Sequence, residues 1–315
     1  MLKLIITRAL LGVVTLFAVS VVIFVCTQIL PGDVATAVLG QSATPETVAA
    51  FRKELGLDQP ALYRFLSWLY HAAQGDLGRS LTNQRVIIDE LAPRFRNTMF
   101  LAGYASLIAV PLSVGLGVLA AIREGRPVDR MSNIITLMTI SVPEFFIGYL
   151  LILFFAVKLE LFPSLATVFD GMGFGERVYV TTLPALTLTM LVAAHMLRMT
   201  RTSVLSVMSS PYIEMAFLKG MSRGRVVSRH ALPNAAAPII TVVALNLAYL
   251  VVGVVVVEAV FTYPGIGQLM VDAVSKRDVP VIQACGLVFA GVFVGLNTTA
   301  DILAILVNPR LRHRR

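Results

Sequence analysis

The chain has 315 residues, of which 57% are hydrophobic and 14% charged, a composition that excludes an ordinary soluble protein, a disordered chain and a collagen. Its two cysteines, Cys26 and Cys285, both lie in apolar runs, which excludes a disulfide framework and a cysteine zinc cluster. The net charge of +8 fits a nucleic-acid binder only if the basic residues form a face of their own, so their positions decide its meaning.

Six apolar runs are long enough to cross a bilayer, since about 20 residues rising ~1.5 Å each span roughly 30 Å of hydrocarbon. In chain order they are Ala9 to Leu30, Thr98 to Ile122, Ser132 to Val157, Val178 to Leu197, Ala235 to Val257, and Val281 to about Val307. Five runs are strongly apolar, and the fourth is weakened by its threonine and histidine. We predict an all-α membrane protein with six transmembrane helices in one domain, residues 1–315.

Residues 31–97, between the first two runs, form a segment long enough to carry structure of its own. Two short helices are predicted there, one starting at Thr44-Pro45 and ending at Gly56, and one running from Pro60 to near Gly75. The second has an apolar stripe that we expect to pack on the rest of the protein: Leu62, Phe65, Leu66 and Leu69.

The orientation follows from the basic residues, because Lys and Arg are enriched in cytoplasmic loops. Fifteen of the 26 lie at the termini, in the loop between the second and third runs, or between the fourth and fifth. Seven of the other 11 basic residues lie in the long segment 31–97, and a loop of this length is translocated to the other side of the membrane largely regardless of its charge. Both termini are therefore predicted to be cytoplasmic, and the positive charge is explained by topology and anionic lipids rather than by nucleic acid.

Polar residues within the runs are candidates for a translocation path. Glu144 follows Pro143 midway along the third run, where a carboxylate costs about 2.5 to 3.5 kcal/mol on insertion scales. It should face either a water-filled cavity or a hydrogen-bonding neighbour, and both alternatives stay open. The candidate set is completed by His195, for which a structural role is favoured, and Asn246. Glu258 and Asp301 lie toward the ends of their runs and are interpreted as structural.

Catalytic machinery is missing from the sequence. No Gly-Lys dipeptide is present, which excludes a phosphate-binding loop with its lysine, so any ATP must be used by a partner. The four histidines are scattered and none begins a His-Glu-x-x-His motif. We predict that the chain is not an enzyme, with no catalytic residues, no metal site and no cofactor of its own.

Residues 200–234 leave the membrane for long enough to form two short helices on the cytoplasmic side. The first is capped by Ser210, starts at Pro211 and stops at Gly220, with Ile213 and Phe217 on one face. The second is predicted from Ser222 to about Leu232, where Pro233 ends it, and it exposes Arg223, Arg225 and Arg229. An apolar helix with basic flanks, fixed between two spans, suits docking into a groove on a soluble partner.

The same loop carries a recognisable pattern. Glu214, Ala216, Gly220, Leu232 and Pro233 stand at the spacing of the EAA loop of ABC importer permeases, although Met215 and His230 depart from it. Further matching segments are Pro31-Gly32-Asp33, Glu54 to Pro60, Gly75 to Ser80, Arg229 to Ala235, Phe261 to Gly267, Arg277 to Val281, and Asn308-Pro309-Arg310. The chain closely resembles the B-type permease subunit of the dipeptide/oligopeptide (peptide/nickel) ABC importer family.

This resemblance implies a type I ABC importer permease fold in a bacterial inner membrane, with a helical extracytoplasmic insertion at residues 31–97. The implied partners are a C-type permease in a heterodimer, two ABC ATPase subunits that use ATP and Mg, and an extracytoplasmic substrate-binding protein. The implied coupling residues lie within 200–234: Ile213, Glu214, Ala216, Phe217, Gly220, Arg223, Leu232 and Pro233.

The expected substrate is a dipeptide or oligopeptide, and the alternatives are a nickel chelate, glutathione or another small solute. A secondary transporter is the rival from another mechanistic class. It is disfavoured because the sequence has no internal repeat and because such a transporter has little use for an EAA-type loop.

Overall fold

Apolar segments within a membrane must satisfy every backbone polar group internally, which long helices do. A computed structural model describes residues 2–29, 36, 43–54, 56, 58–169 and 171–307, and this part of the chain contains helices and no β-strand. The helices are α1 Leu2–Ile29, α2 Pro45–Glu54, α3 Ala61–Ala73, α4 Ile87–Ile122, α5 Pro127–Ser141, α6 Glu144–Leu151, α7 Phe174–Met208, α8 Pro211–Leu218, α9 Arg223–Val226, α10 Leu232–Val260, α11 Ile266–Lys276 and α12 Val279–Val307. The motifs at 31–33 and 308–310 and the C-terminal arginines lie outside the described residues.

The all-α membrane architecture is confirmed. Helices α1, α4, α7, α10 and α12 are each long and apolar enough to cross a bilayer, and α5 with α6 forms a bent pair that makes a sixth span if the two helices cross as one. Helix α7 contains the predicted fourth run. Of its most apolar stretch, 61% is buried inside the protein, whereas the buried share is 33% or less in the other four long helices. Several threonines of α7 bond within the helix, as Thr187 Oγ1 does to Leu183 O at 2.9 Å, and Thr189 Oγ1 donates to Ala105 O of α4 at 3.2 Å, so these hydroxyls are tolerated in the core.

The third predicted run is not one continuous helix. Helix α5 ends at Ser141, α6 begins at Glu144, and the two helices diverge by 103°. Pro143 causes the break, because its ring cannot donate a backbone hydrogen bond and it forces the preceding Val142 into an extended conformation (φ −98°, ψ 130°). After Leu151 the helix continues as a wider π-helix over Ile152–Lys158.

Both short helices predicted within residues 31–97 are present. Thr44 Oγ1 accepts a hydrogen bond from Thr47 N at 3.2 Å where α2 starts, and Gly75 follows α3 with a φ of +84°. The apolar stripe of α3 is only partly buried. Phe65 packs edge-on against Phe24 of α1 at 5.3 Å between ring centroids, whereas Leu62 and Leu66 are exposed. Burial is restricted in this way because α3 rests mainly on the single helix α1.

A buried carboxylate fastens residues 80–82 to the connection before the last span. Asp278, between α11 and α12, is 2% exposed. It accepts hydrogen bonds from Ser80 Oγ at 2.5 Å, Leu81 N at 3.1 Å, Thr82 N at 3.2 Å and Thr82 Oγ1 at 2.9 Å. We call Asp278 with residues 80–82 the outer lock. It joins two of the segments that carry the family resemblance.

A second buried carboxylate, Glu258 of α10, holds α11. It is fully buried and accepts hydrogen bonds from Thr98 Oγ1 at 2.7 Å, Gly267 N at 2.7 Å and Gln268 N at 3.2 Å. The last two are backbone donors in the first turn of α11, so Glu258 caps a helix that its own N-cap residue, Gly265, leaves uncapped. The structural interpretation of Glu258 fits this position.

Candidate functional site

The turn between α7 and α10 carries the candidate coupling residues. Helix α8 follows α7 after only Ser209 and Ser210. Ser210 occupies the N-cap position, but its hydroxyl donates to Val207 O, so the predicted side-chain cap does not form. Bonding back to α7 instead makes the joint between the two helices short and tightly held.

Helix α8 is half buried in a way that the sequence did not predict. Ile213 and Ala216 are buried and cluster with Val226 and Ala231 from the following segment. Phe217 was expected on the same buried face as Ile213, but it is 38% exposed. The helix is so short that its buried face includes only Ile213 and Ala216, three residues apart. Exposed side chains cover the rest of the helix surface: Tyr212, Glu214, Met215, Phe217 and Leu218. Helix α8 therefore presents apolar surface that the described chain leaves open.

Gly220 ends α8 as predicted. Gly220 N donates to Phe217 O at 2.9 Å, and Met221 N donates to Ala216 O at 3.2 Å. This pair of bonds is the Schellman arrangement, which requires a left-handed residue after the helix, and Gly220 has a φ of +79°. A β-carbon at Gly220 would meet no heavy atom within 4 Å, so backbone conformation rather than crowding within this chain requires glycine there.

The second predicted helix begins after Ser222 but does not end at Pro233. Helix α9 passes into a π-helical turn, Val227–Ala231, and then into α10, so one helix runs from Gly224 to Val260. Pro233 lies in the first turn of the α-helical part, directly after the π-helical turn, where a missing N–H does not stop the helix. Leu232 is half-buried, while Arg225 and Arg229 are exposed as expected. The side chain of Arg223 lies outside the described part.

The translocation-path candidates are not brought together by any described contact. Pro143 and Glu144 lie at the break between α5 and α6, and Glu144, half-buried, makes no hydrogen bond or ion pair with the described residues. His195 is exposed on α7. Asn246 Nδ2 donates to Val242 O of its own helix at 2.8 Å. Of the four, Glu144 keeps the strongest unmet need for a polar environment.

An ion pair between α5 and α7 was missed by the sequence reasoning. Arg201 of α7 donates from Nε to Asp129 Oδ1 at 2.5 Å and from Nη2 to Oδ2 at 2.8 Å. Asp129, 3% exposed, also accepts from Gly125 N at 3.0 Å. The sequence signal was faint: an acidic residue just after Pro127, a common position in any helix start. Among the described residues, no three His, Cys, Asp or Glu side chains are placed to hold a metal ion.

Comparison with known families assigns the chain. Residues 113–313 match the family described as "Binding-protein-dependent transport system inner membrane component", and residues 1–102 match its N-terminal companion. The chain belongs to this family. It is a multi-pass membrane component of a binding-protein-dependent ABC importer, as the resemblance predicted.

Relatives and a solved structure agree with the assignment. The chain is 40% identical over 308 residues to the glutathione transport system permease protein GsiC of Escherichia coli O6:H1, covering 98% of both chains. The GsiC proteins of Escherichia coli K12 and Shigella dysenteriae serotype 1 match at the same identity and coverage. A chain of the inward-facing MetNI methionine ABC transporter has the same fold, with a TM-score of 0.54 and 16% identity over 69% of this chain and 96% of that one.

Proposed function

We propose that this permease couples ATP hydrolysis in two separate ATPase subunits to solute import, through residues 200–234. The observation that carries the proposal is α8, an eight-residue helix held between two spans by a Schellman turn, with an apolar surface left open. Ile213 and Ala216 hold the helix in place. Glu214 and Phe217 face the ATPase, and Gly220 sets the turn.

The rest of the loop supports the same role. Leu232 and Pro233 start the α-helical part of α10, and Arg223 lies on the segment that leads into it. ATP and Mg belong to the partner subunits, and this chain binds no cofactor. The loop is therefore a transmission surface rather than a reaction centre.

The broken span supports pairing with a second, C-type permease. Helices α5 and α6 expose large apolar side chains on both sides of the break, among them Ile134, Met138, Phe145 and Phe146. Because the two helices diverge by 103°, they cannot both lie along the bilayer normal. A neighbouring permease covers the apolar surface of the helix that is turned away from it. The residues proposed for the path remain Pro143, Glu144, His195 and Asn246.

We propose a short peptide as the solute. The relatives named for glutathione transport act on a tripeptide, and they align over almost the whole chain. The outer segment, residues 31–97, offers the surface for the binding protein, and both termini are cytoplasmic in a bacterial inner membrane. A nickel chelate or another small solute by the same mechanism is the alternative.

The test is reconstitution of the permease in liposomes with the C-type permease, the ATPases and the binding protein. Labelled glutathione, a dipeptide, an oligopeptide and a nickel–histidine chelate are offered separately, and ATP-dependent uptake is measured. We expect uptake of a peptide, dependent on ATP and on the binding protein. Uptake driven by an ion gradient without the ATPases would instead identify a secondary transporter.

A further inference from the structure

The ion pair between Asp129 and Arg201 is the main polar anchor of α5. Of the fifteen residues of α5, only Asp129 and Thr136 are buried. Its apolar side chains point away from the described chain, with Met131, Ile135 and Met138 each about 60% exposed. A helix without a buried apolar stripe gains little stability from apolar burial, although α5 lies close to α7 and α4. The bidentate pair to α7 therefore has a large share in fixing where α5 lies.

Helix α8 is attached to the same helix, α7, at its cytoplasmic end. The two-residue joint, the bond from Ser210 to Val207 and the packing of Ile213 beside Val207 and Met208 leave α8 little freedom relative to α7. Arg201 lies seven residues before the end of α7, which is about 10 Å along the helix axis. A force on α8 thus reaches Arg201 through one continuous helix.

Helix α5 leads from the ion pair to the break. From Asp129 to Ser141 the helix extends about 18 Å, and Glu144 follows directly beyond the break. Asp129 also accepts from Gly125 N and, at 3.3 Å, from Asn133 Nδ2, so the carboxylate is fixed on both sides. The ion pair therefore connects α7, whose end carries α8, with α5, whose end precedes Glu144.

We propose that the Asp129–Arg201 ion pair is a positioning pair that carries the movement of α8 to the break before Glu144. The inference rests on the proposed function, since α8 must be moved by an ATPase. Two parallel charge-assisted bonds fix direction as well as distance, which a single contact or a lysine does not. Loss of the pair uncouples hydrolysis from transport, while α8 still docks.

The test compares Arg201→Lys with Arg198→Lys, one turn earlier on α7, where the arginine is exposed and without an ion-pair partner in the described chain. Both variants keep the charge, and only the first loses the bidentate geometry. Uptake and ATP hydrolysis are measured in the reconstituted importer, with assembly and thermal stability recorded beside them. For Arg201→Lys we expect solute transported per ATP to fall about tenfold, within the usual range of coupling between sites, and no change for Arg198→Lys. Asp129→Asn should give the same loss, and the double variant no more than either alone.

A second readout does not depend on transport. Spin labels at Ile135 and Thr202, in a background lacking Cys26 and Cys285, report the distance between α5 and α7 with and without ATP. We expect one narrow distance in both states for the wild type, and a broad distribution in Arg201→Lys. An unchanged transport ratio with an unchanged distance in assembled Arg201→Lys overturns the proposal and leaves the pair a local brace. Absence of ATP-driven uptake in the wild type would count against the proposed function, and the distance measurement would still decide the role of the pair.

Discussion

At Gly220, the effect of backbone strain can be separated from the effect of contact with the ATPase by comparing two substitutions. Its φ of +79° costs any side chain about 1 to 2 kcal/mol, and no atom of this chain lies where a side chain would go. Gly220→Ala and Gly220→Glu therefore carry a similar backbone penalty. We expect partial loss of solute-stimulated ATP hydrolysis in the alanine variant and abolition in the glutamate variant, because only the longer, charged side chain meets the ATPase.

Co-purification with the ATPases and uptake check this result, and Gly220→Asn is the control because asparagine tolerates left-handed backbone. Equal activity of the alanine and glutamate variants would reduce Gly220 to a helix stop.

Glu144 is the second residue with a direct prediction. It begins α6 at the break and has no described partner, so Glu144→Gln should leave assembly intact and change the uptake rate several-fold. Glu176→Gln is the matched control, since Glu176 also lies in the first turn of a helix but is exposed. A cysteine at 144 in a cysteine-free background should react with membrane-impermeant thiol reagents in at least one nucleotide state. Complete protection in every state would contradict exposure to a water-filled path.

At the scale of elements, the placement of α11 depends on a close approach to Glu258. A β-carbon at Gly265 would lie 2.0 Å from Glu258 Oε1, so Gly265→Ala must displace the cap of α11. We expect a loss of about 1 to 3 kcal/mol, typical of overpacking, seen as a lower midpoint of thermal unfolding and weaker stimulation by the binding protein. Gly253→Ala on α10 is the control, because its nearest neighbour would lie at 3.8 Å. Equal stability of the two variants would mean that α11 is not held by Glu258.

The elements also separate what the sequence predicts from what it does not. Hydropathy identified every span, and proline and glycine identified the starts and stops of α2, α3 and α8, because these signals act within one turn of helix. The break at Pro143 was not predicted, since a proline is equally compatible with a mild kink. Pro233 was misread as a stop because the π-helical turn that accommodates it has no pattern of its own. The buried carboxylates Asp129, Glu258 and Asp278 accept hydrogen bonds from residues that are distant in the sequence, so local spacing does not reveal these contacts.

At the scale of the whole molecule, the orientation is the main prediction. Reporters fused after Arg126, Ser222 and Arg315 should read cytoplasmic, and those after Thr82 and Ser275 extracytoplasmic, as the distribution of arginine and lysine requires. The position at Ser222 is chosen because it is exposed and precedes α9. Alkaline phosphatase and a green fluorescent reporter give opposite signals on the two sides. A cytoplasmic signal at Thr82 would reverse the orientation.

The outer lock bears on how the chain is made. Ser80 and its acceptor Asp278 are 198 positions apart. A ribosome adding about 5 to 20 residues per second synthesises that interval in roughly 10 to 40 seconds. During this interval the turn at residues 80–82 carries four donors and has no carboxylate to accept from them. A nascent permease therefore passes through a stage at which residues 80–82 lack the contact that fixes them, and synthesis of Asp278, just before the last span, ends that stage.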